Sequence, residues 1–398
     1  MRILIISPLV PFPPVGGLGL RTHHLLRALS AQHQVTLVGF TYGETPAAAP
    51  FPLEVIPVPW RAPKLYAEMR STDPALSRRA FEILAHEVRE PWFASYYACP
   101  EMEETLRQVV SRGFDLAWFE TTSMGGFASA LPAAVPKLLD FPDLHTLVAQ
   151  RASASRTGEE KRQADAETER VKWFENKLAS QCACGLVCSD LEAAAARALL
   201  DIARIEVVPN GVDTKFFVPT QARSTHGSLL FVGIMDYPPN AEAVCHFVAD
   251  IFPEVRRQMP AAVLHVVGAR PTAEVLRLAS DSVVIHGFVP DVRPYYRAAE
   301  VVIVPLLHGG GTRLKILEAA ASGRAIVATS MGAEGLALAA GDDIEIADSP
   351  AEFAAAVFRL SADEQARQRL SINARRAVLP YDWDAIGAEV CRIVATVS

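Results

Sequence analysis

The sequence predicts an α/β protein made of two parallel-sheet domains, and three observations carry that expectation. A chain of 398 residues is longer than one hydrophobic core of ordinary size organises. Short apolar runs such as Arg2–Ser7, Val263–Val267 and Val301–Val304 alternate with stretches of helical period, the pattern of buried parallel strands joined by crossover helices. The alternation breaks over Thr214–Gly227 and then restarts, which reads as a linker.

In the first half, Arg2–Ser7 is a strand, Thr22–Ala31 a helix with Leu25, Leu26 and Leu29 inward, and Gln34–Phe40 the second strand. Pro8–Gly19 between them reads as a loop, stiffened by proline at its start and glycine-rich at its end. Gly17-Leu-Gly19 is a poor dinucleotide fingerprint, because the loop is too long for the tight turn and no acidic residue closes the second strand. Glu54–Pro57 is the third strand. Trp60–Arg112 is helical and interrupted by proline, with Phe81, Leu84 and Val88 on one face. There Arg61, Lys64, Arg70, Arg78 and Arg79 accompany Trp60, Tyr66, Trp92, Phe93 and Tyr96, aromatics that look exposed. The mixture is read three ways: an acceptor site, a surface leaning on anionic lipid, or a solvated helical face. Asp115–Glu120 and Lys137–Phe141 are strands, and Pro142-Asp143-Leu144-His145 follows the second at its carboxyl end, where open α/β sheets place ligands. Gly158–Gln181 is a long helix dense in both charges, expected to be solvated. Gly185–Cys188, a helix over Asp190–Leu200 and Ile205–Val208 complete this half.

The second half opens with strand Leu229–Val232, the turn Gly233–Asn240 and a helix through Met259. Strands Val263–Val267 and Val283–His286 end at Gly268 and Gly287. Helices fill Pro350–Val378, and a last one runs from Asp384 to Val397. The chemistry concentrates after strand Val301–Val304. Gly309, Gly310 and Gly311 let backbone approach a ligand closely, Thr312 is the expected N-cap, and Gly323 closes the helix. Unpaired N–H groups and the helix dipole favour an anion at such a start. Arg313 and Lys315 stand where the dipole prefers acids, a broken local rule of the kind that marks function. Glu318 shares a face with Lys315, so a diphosphate at the helix start could carry a sugar hydroxyl to it.

This stretch resembles the donor-binding helix of retaining nucleotide-sugar glycosyltransferases of the GT-B fold, the glycogen-synthase-like, family 4 type. Glu318-Ala-Ala-Ala-Ser-Gly323 matches the second half of the family motif, whose first glutamate falls here on Gly310. Pro209-Asn210-Gly-Val-Asp213 is similar to the interdomain signature, and the stretch carrying Gly16, Gly17 and Arg21 to a loop near donor phosphates and acceptor. Relatives place a His on the donor sugar near His145, with Pro142 or Asp143 as alternative registers, and a loop like Gly332-Ala-Glu334-Gly335 near the base. They also carry Arg just after the glycine equivalent to Gly233, and Lys five residues later; Ile234 and Pro239 stand here. Phosphate charge is therefore expected to fall to Arg313 and Lys315.

The resemblance implies two Rossmann-like domains facing across a cleft, residues 1–213 with a crossover helix 380–398, and 214–379. It implies transfer of a sugar, with retention, from a nucleotide-sugar donor such as a UDP- or GDP-sugar to a glycan, lipid-linked or small-molecule acceptor. No cofactor is expected, and no metal, since no Asp-x-Asp pair is read at a strand end of the cleft. Asp382-x-Asp384 is read as packing. A sugar-nucleotide epimerase, a sugar-nucleotide-binding pseudoenzyme and a dinucleotide oxidoreductase are the alternatives. The net charge of −7 argues against a nucleic-acid binder. The six cysteines form no disulfide framework, and Cys182, Cys184 and Cys188 fit no zinc spacing. A first strand, not a secretion segment, is read at the amino end. The cysteine usage makes a reducing, cytoplasmic compartment the expectation, with contact at the inner membrane face as a further reading.

Overall fold

The computed structural model describes residues 1–43, 45–69, 75, 76, 79, 80, 83, 88–154, 156–220, 224–310 and 313–397. It divides into two compact units, Met1–Pro209 with Gly387–Ser398, and Asn210–Ile386.

The first unit holds β1 (Arg2–Ser7), β2 (Gln34–Thr41), β3 (Glu54–Pro59), β4 (Leu116–Glu120), β5 (Lys137–Phe141), β6 (Cys184–Val187) and β7 (Ile205–Val207). They form one parallel sheet in the order β3-β2-β1-β4-β5-β6-β7, so the winding reverses between β1 and β4. Ile3 pairs with Val35 on one side and Leu116 on the other. Helices cover both faces, which is why Ile3, Leu4, Ile6, Leu138 and Leu139 are all fully buried and the strands read as continuous apolar runs.

Three expectations change here. The helix after β1 is Gly16–Ser30, so Gly16, Gly17 and Arg21 belong to its first turns and not to a loop. Proline stiffens only Pro8–Val15, and Gly16 starts the helix at φ +71°, which its missing Cβ allows. Of the aromatics read as exposed, Tyr66 and Phe93 are buried, and Trp60 and Tyr96 pack on each other at 4.7 Å; Trp92 is exposed. Arg70, Arg78, Phe81 and Leu84 lie outside the described residues. Helix Gly158–Ala179 is solvated on one side only: Ala164, Thr168, Val171, Phe174, Glu175 and Leu178 are buried at helical spacing. Its charge density hid that stripe. Five of the six cysteines, Cys99, Cys182, Cys184, Cys188 and Cys391, are buried in this unit, and burial raises the Cys184 thiol to about 11.

The second unit holds β8 (Ser228–Val232), β9 (Val263–Val267), β10 (Val283–Gly287), β11 (Val301–Val304), β12 (Ala325–Ala328) and β13 (Glu345–Ile346). This parallel sheet has the order β10-β9-β8-β11-β12-β13, with its reversal between β8 and β11. The helix from Pro238 passes through a π turn at Phe247–Ile251 just before Pro253, which has no N–H to continue the ladder. Asp363 ends one helix (Pro350–Ala362) and caps the next (Glu364–Ala377), accepting from Ala366 N at 2.9 Å. Asp382 accepts from Thr214 N at 3.1 Å and Asp384 pairs with Lys215 at 2.6 Å, so both carboxylates are engaged in packing. Among the described residues no helix is long and apolar enough to cross a membrane.

Candidate active site

Open parallel sheets bind ligands beyond the carboxyl ends of their strands where the winding reverses. In the second unit that place is the ends of β8 and β11. After β8 the chain turns at Gly233, and after β9 at Gly268, and the two turns almost touch. A Cβ on Gly268, which has φ +153°, would lie 1.6 Å from the Gly233 carbonyl oxygen. A Cβ on Gly233 would meet the Asn240 amide at 2.7 Å and the Lys315 ammonium at 3.1 Å. Both positions need glycine because backbone and one cation crowd the same spot.

The helix that supplies the cation is Leu314–Ala321. Ile316, Leu317, Ala320 and Ala321 bury its inner face, and Gly323 at φ +67° closes it. The helix starts later than the sequence suggested. Arg313 stands at the cap position, and Gly311 and Thr312 lie outside the described residues. Arg313 is buried; its guanidinium donates to the Gly310 carbonyl and reaches Met331 Sδ at 4.0 Å. Gly309 has φ +133°, and a Cβ there would press on that guanidinium at 3.3 Å. Lys315 donates to Asn240 Oδ1 at 2.6 Å, and its ammonium lies 4.2 Å from the centre of the Phe231 ring. Burial first, then the charge of Arg313, pulls the Lys315 pKa down to about 7. One turn on, Glu318 accepts from the Tyr296 hydroxyl at 2.8 Å, and burial raises its pKa to about 7 against that bond and Lys315. Anion-ready cation, backbone turns without side chains and a carboxyl thus meet on one strand end.

In the first unit the corresponding reversal lies between β1 and β4. Glu120 ends β4, buried, with the Thr22 hydroxyl donating to it; burial lifts its pKa to about 8. Arg21 is fully buried, donating to both Asp140 oxygens at 2.8 Å and to the carbonyls of Val208 at 2.9 Å and Pro209 at 3.2 Å. Its fork ties β5 to the end of the unit, so the side chain expected near substrate is a structural pin. Asp143 lies in the turn after β5, and His145 opens helix His145–Ala154. The imidazole stacks on Phe93 at 4.5 Å and meets Thr122 Oγ1 at 2.5 Å through Nδ1. Buried Glu175 accepts from His145 N at 3.1 Å and Thr146 N at 2.9 Å, capping the helix start from a neighbouring helix. Burial works against the His145 cation, but Glu175 and Asp143 raise its pKa overall.

A profile described as Glycosyltransferase Family 4 matches residues 15–216, and one described as Glycosyl transferases group 1 matches 226–363. The first alone covers more than half of the 398 residues. The chain belongs to glycosyltransferase family 4. Its relatives include a phosphatidyl-myo-inositol mannosyltransferase of Mycolicibacterium smegmatis, 29% identical over 206 residues, 48% of this chain and 52% of that protein. A D-inositol 3-phosphate glycosyltransferase of Xylanimonas cellulosilytica is 32% identical over 223 residues, 49% of this chain and 52% of the relative. The chain therefore spans about half the length of the curated relatives it matches. Among solved structures, sucrose-phosphate synthase from Thermosynechococcus elongatus superposes with a TM-score of 0.73 at 19% identity, covering 100% of this chain and 99% of that one. Anabaena Alr3699/HepE, in complex with UDP and glucose, gives 0.67 at 14% identity, covering 100% of both chains. These neighbours show the GT-B fold.

In this family 4 chain the sequence pointed to Gly233, Gly309, Gly310, Arg313, Lys315 and Glu318, and the structure gathers them around the ends of β8 and β11. Glu334 follows the short helix Ser330–Ala333, which Gly332 brings against β11: a Cβ there would lie 2.5 Å from the Val304 carbonyl oxygen. Asn210 is buried at the start of the second unit. Tyr296 and Glu175 were missed. Tyr296 sits on the buried side of a six-residue helix and Glu175 among many charges, so neither carries a local signal.

Proposed function

We propose that this chain transfers a sugar from a nucleotide diphosphate sugar to an acceptor hydroxyl, with retention at the anomeric carbon. The observation that carries the reading is Lys315: a cation held at a pKa of about 7, bonded to an amide oxygen, beside glycine turns at the reversal of a parallel sheet. Such a group gains charge when an anion arrives. The diphosphate takes Lys315 and Arg313 as counter-charges, and the same pair stabilises the leaving nucleoside diphosphate as the glycosidic bond breaks. Ile234 and Pro239 offer no charge, and Pro239 is buried at a helix start, which leaves the task to the helix Leu314–Ala321. Glu318, steadied by Tyr296, accepts from the ribose hydroxyls. Gly310 leaves room beside the donor sugar. The reaction proceeds without a metal ion. The relatives' names make inositol and its phosphate or phospholipid derivatives the first acceptors to try.

A thermal-shift panel of nucleotide sugars tests this directly, because a ligand of the folded state alone raises the melting temperature. One base and sugar class should stabilise the protein, and Lys315→Met should abolish the shift. A panel in which no nucleotide sugar and no nucleoside diphosphate moves the transition removes the proposal.

A further inference from the structure

At the opposite ends of the same strands, the residues preceding β11 and β12 line a pocket of about 850 Å³ in the second unit. That is a size that holds a small metabolite. Its charged and hydroxyl lining includes Glu300, Arg324, Ser361, Glu364, Arg367, Arg375 and Arg376. The carboxylate of Glu300 is already engaged, accepting from Gly227 N at 2.8 Å and lying 3.2 Å from His226 and 3.6 Å from Arg367. Arg324 is 8% exposed and makes no ion pair among the described residues. Its bonds to the carbonyls of Ser322, Arg297 and Ala299 are long, at 3.3 to 3.4 Å. Arg375 donates to the carbonyls of Phe217, Ala321 and Thr214, and Asp382 acts on its charge. Arg376 stands exposed at the rim. Ser361 Oγ is buried and has no hydrogen-bond partner among the described residues.

The carbonyls belong largely to helix carboxyl ends, whose dipoles favour cations. The lining sets four guanidinium groups against the carboxylates of Glu300 and Glu364, and the two helix ends, at roughly −0.5 charge each, offset only about half of the two positive charges that remain. A buried arginine without a counter-ion is costly, and a dianion would supply what is missing. A phosphate monoester carries about two charges at neutral pH and accepts the guanidinium fork in two places.

We propose that this pocket is a second ligand site, binding a small phosphate monoester whose phosphate takes Arg324, Arg367 and Ser361 Oγ as partners. It stands apart from the donor reading, since it uses the other ends of the strands. Glycerol phosphate titrated calorimetrically at fixed ionic strength, with acetate as the monoanion control, is the test. Wild type and Lys315→Met should bind glycerol phosphate alike and acetate far more weakly. Arg324→Gln should lose binding, and Arg376→Glu, an exposed change that leaves the fold alone, should weaken it about tenfold. Binding unchanged in Arg376→Glu, binding lost in Lys315→Met, or no binding to wild type at millimolar concentration would each overturn the proposal.

Discussion

Replacing Lys315 by methionine keeps the apolar stem and removes one charge. In the free protein that charge is already half lost, because burial and Arg313 hold the pKa near 7. A bound diphosphate restores the cation, so binding takes up a proton above pH 7. If the pKa in the complex returns toward the ordinary value of about 10.4, wild-type affinity falls up to tenfold per pH unit between roughly pH 7 and 10. In Lys315→Met this fall above pH 7 disappears, leaving only the titration of Glu318 near pH 7. At pH 6.5 the variant should bind the donor about 1.5–3 kcal/mol more weakly, the worth of a hydrogen bond to a charged group. The same shift affects stability with a definite sign. The folded pKa lies below the unfolded one, so the charge of Lys315 opposes folding fully below pH 7, and the penalty fades as pH rises toward the unfolded value. Calorimetric titration of the donor from pH 6.5 to 9 reads the binding effect directly. A nucleotide sugar is a diphosphate diester and does not itself titrate there. Affinity that is flat with pH in wild type, together with undiminished binding by the variant, would refute the reasoning.

Glu318→Ala should weaken donors with both ribose hydroxyls by about 1–3 kcal/mol and a deoxyribose donor by less, measured as dissociation constants. Gly268→Ala should lower the urea midpoint far more than Gly341→Ala: both have positive φ, but the new Cβ meets a carbonyl oxygen only at Gly268, a clash worth several kcal/mol against about 1. Glu175→Gln should lower the His145 pKa, read by NMR titration, since Glu175 helps hold it up. Stability gained from that raised pKa is present below the unfolded value of about 6.5 and is lost as pH rises through the folded pKa.

Strand positions were legible because burial on both faces leaves unbroken apolar runs; β1, β5, β9 and β11 fall where the sequence put them. Helix starts were less so. Gly16 and Gly17 look like loop residues, yet the helix runs back through them, with Gly19, Arg21 and Thr22 buried in its first turns. The donor-end cluster was readable from Gly309 to Gly323 because it breaks the charge preference of a helix start. Glu175 was not, since one buried carboxylate among exposed ones differs only in what it faces. Arg21 misled for the converse reason: its chemistry suits a phosphate, but Asp140 claims it.

The central claim is that Arg313, Lys315 and Glu318 bind and activate a nucleotide-sugar donor. Steady-state transfer from the donor that stabilises the protein, with nucleoside diphosphate release and glycoside formation followed together, tests it most directly. Arg313→Ala should lower kcat/KM by about 2–4 kcal/mol in transition-state terms, and Glu318→Ala should raise the donor KM. Wild-type kinetics in both variants would contradict the claim and leave Leu314–Ala321 as a packing helix.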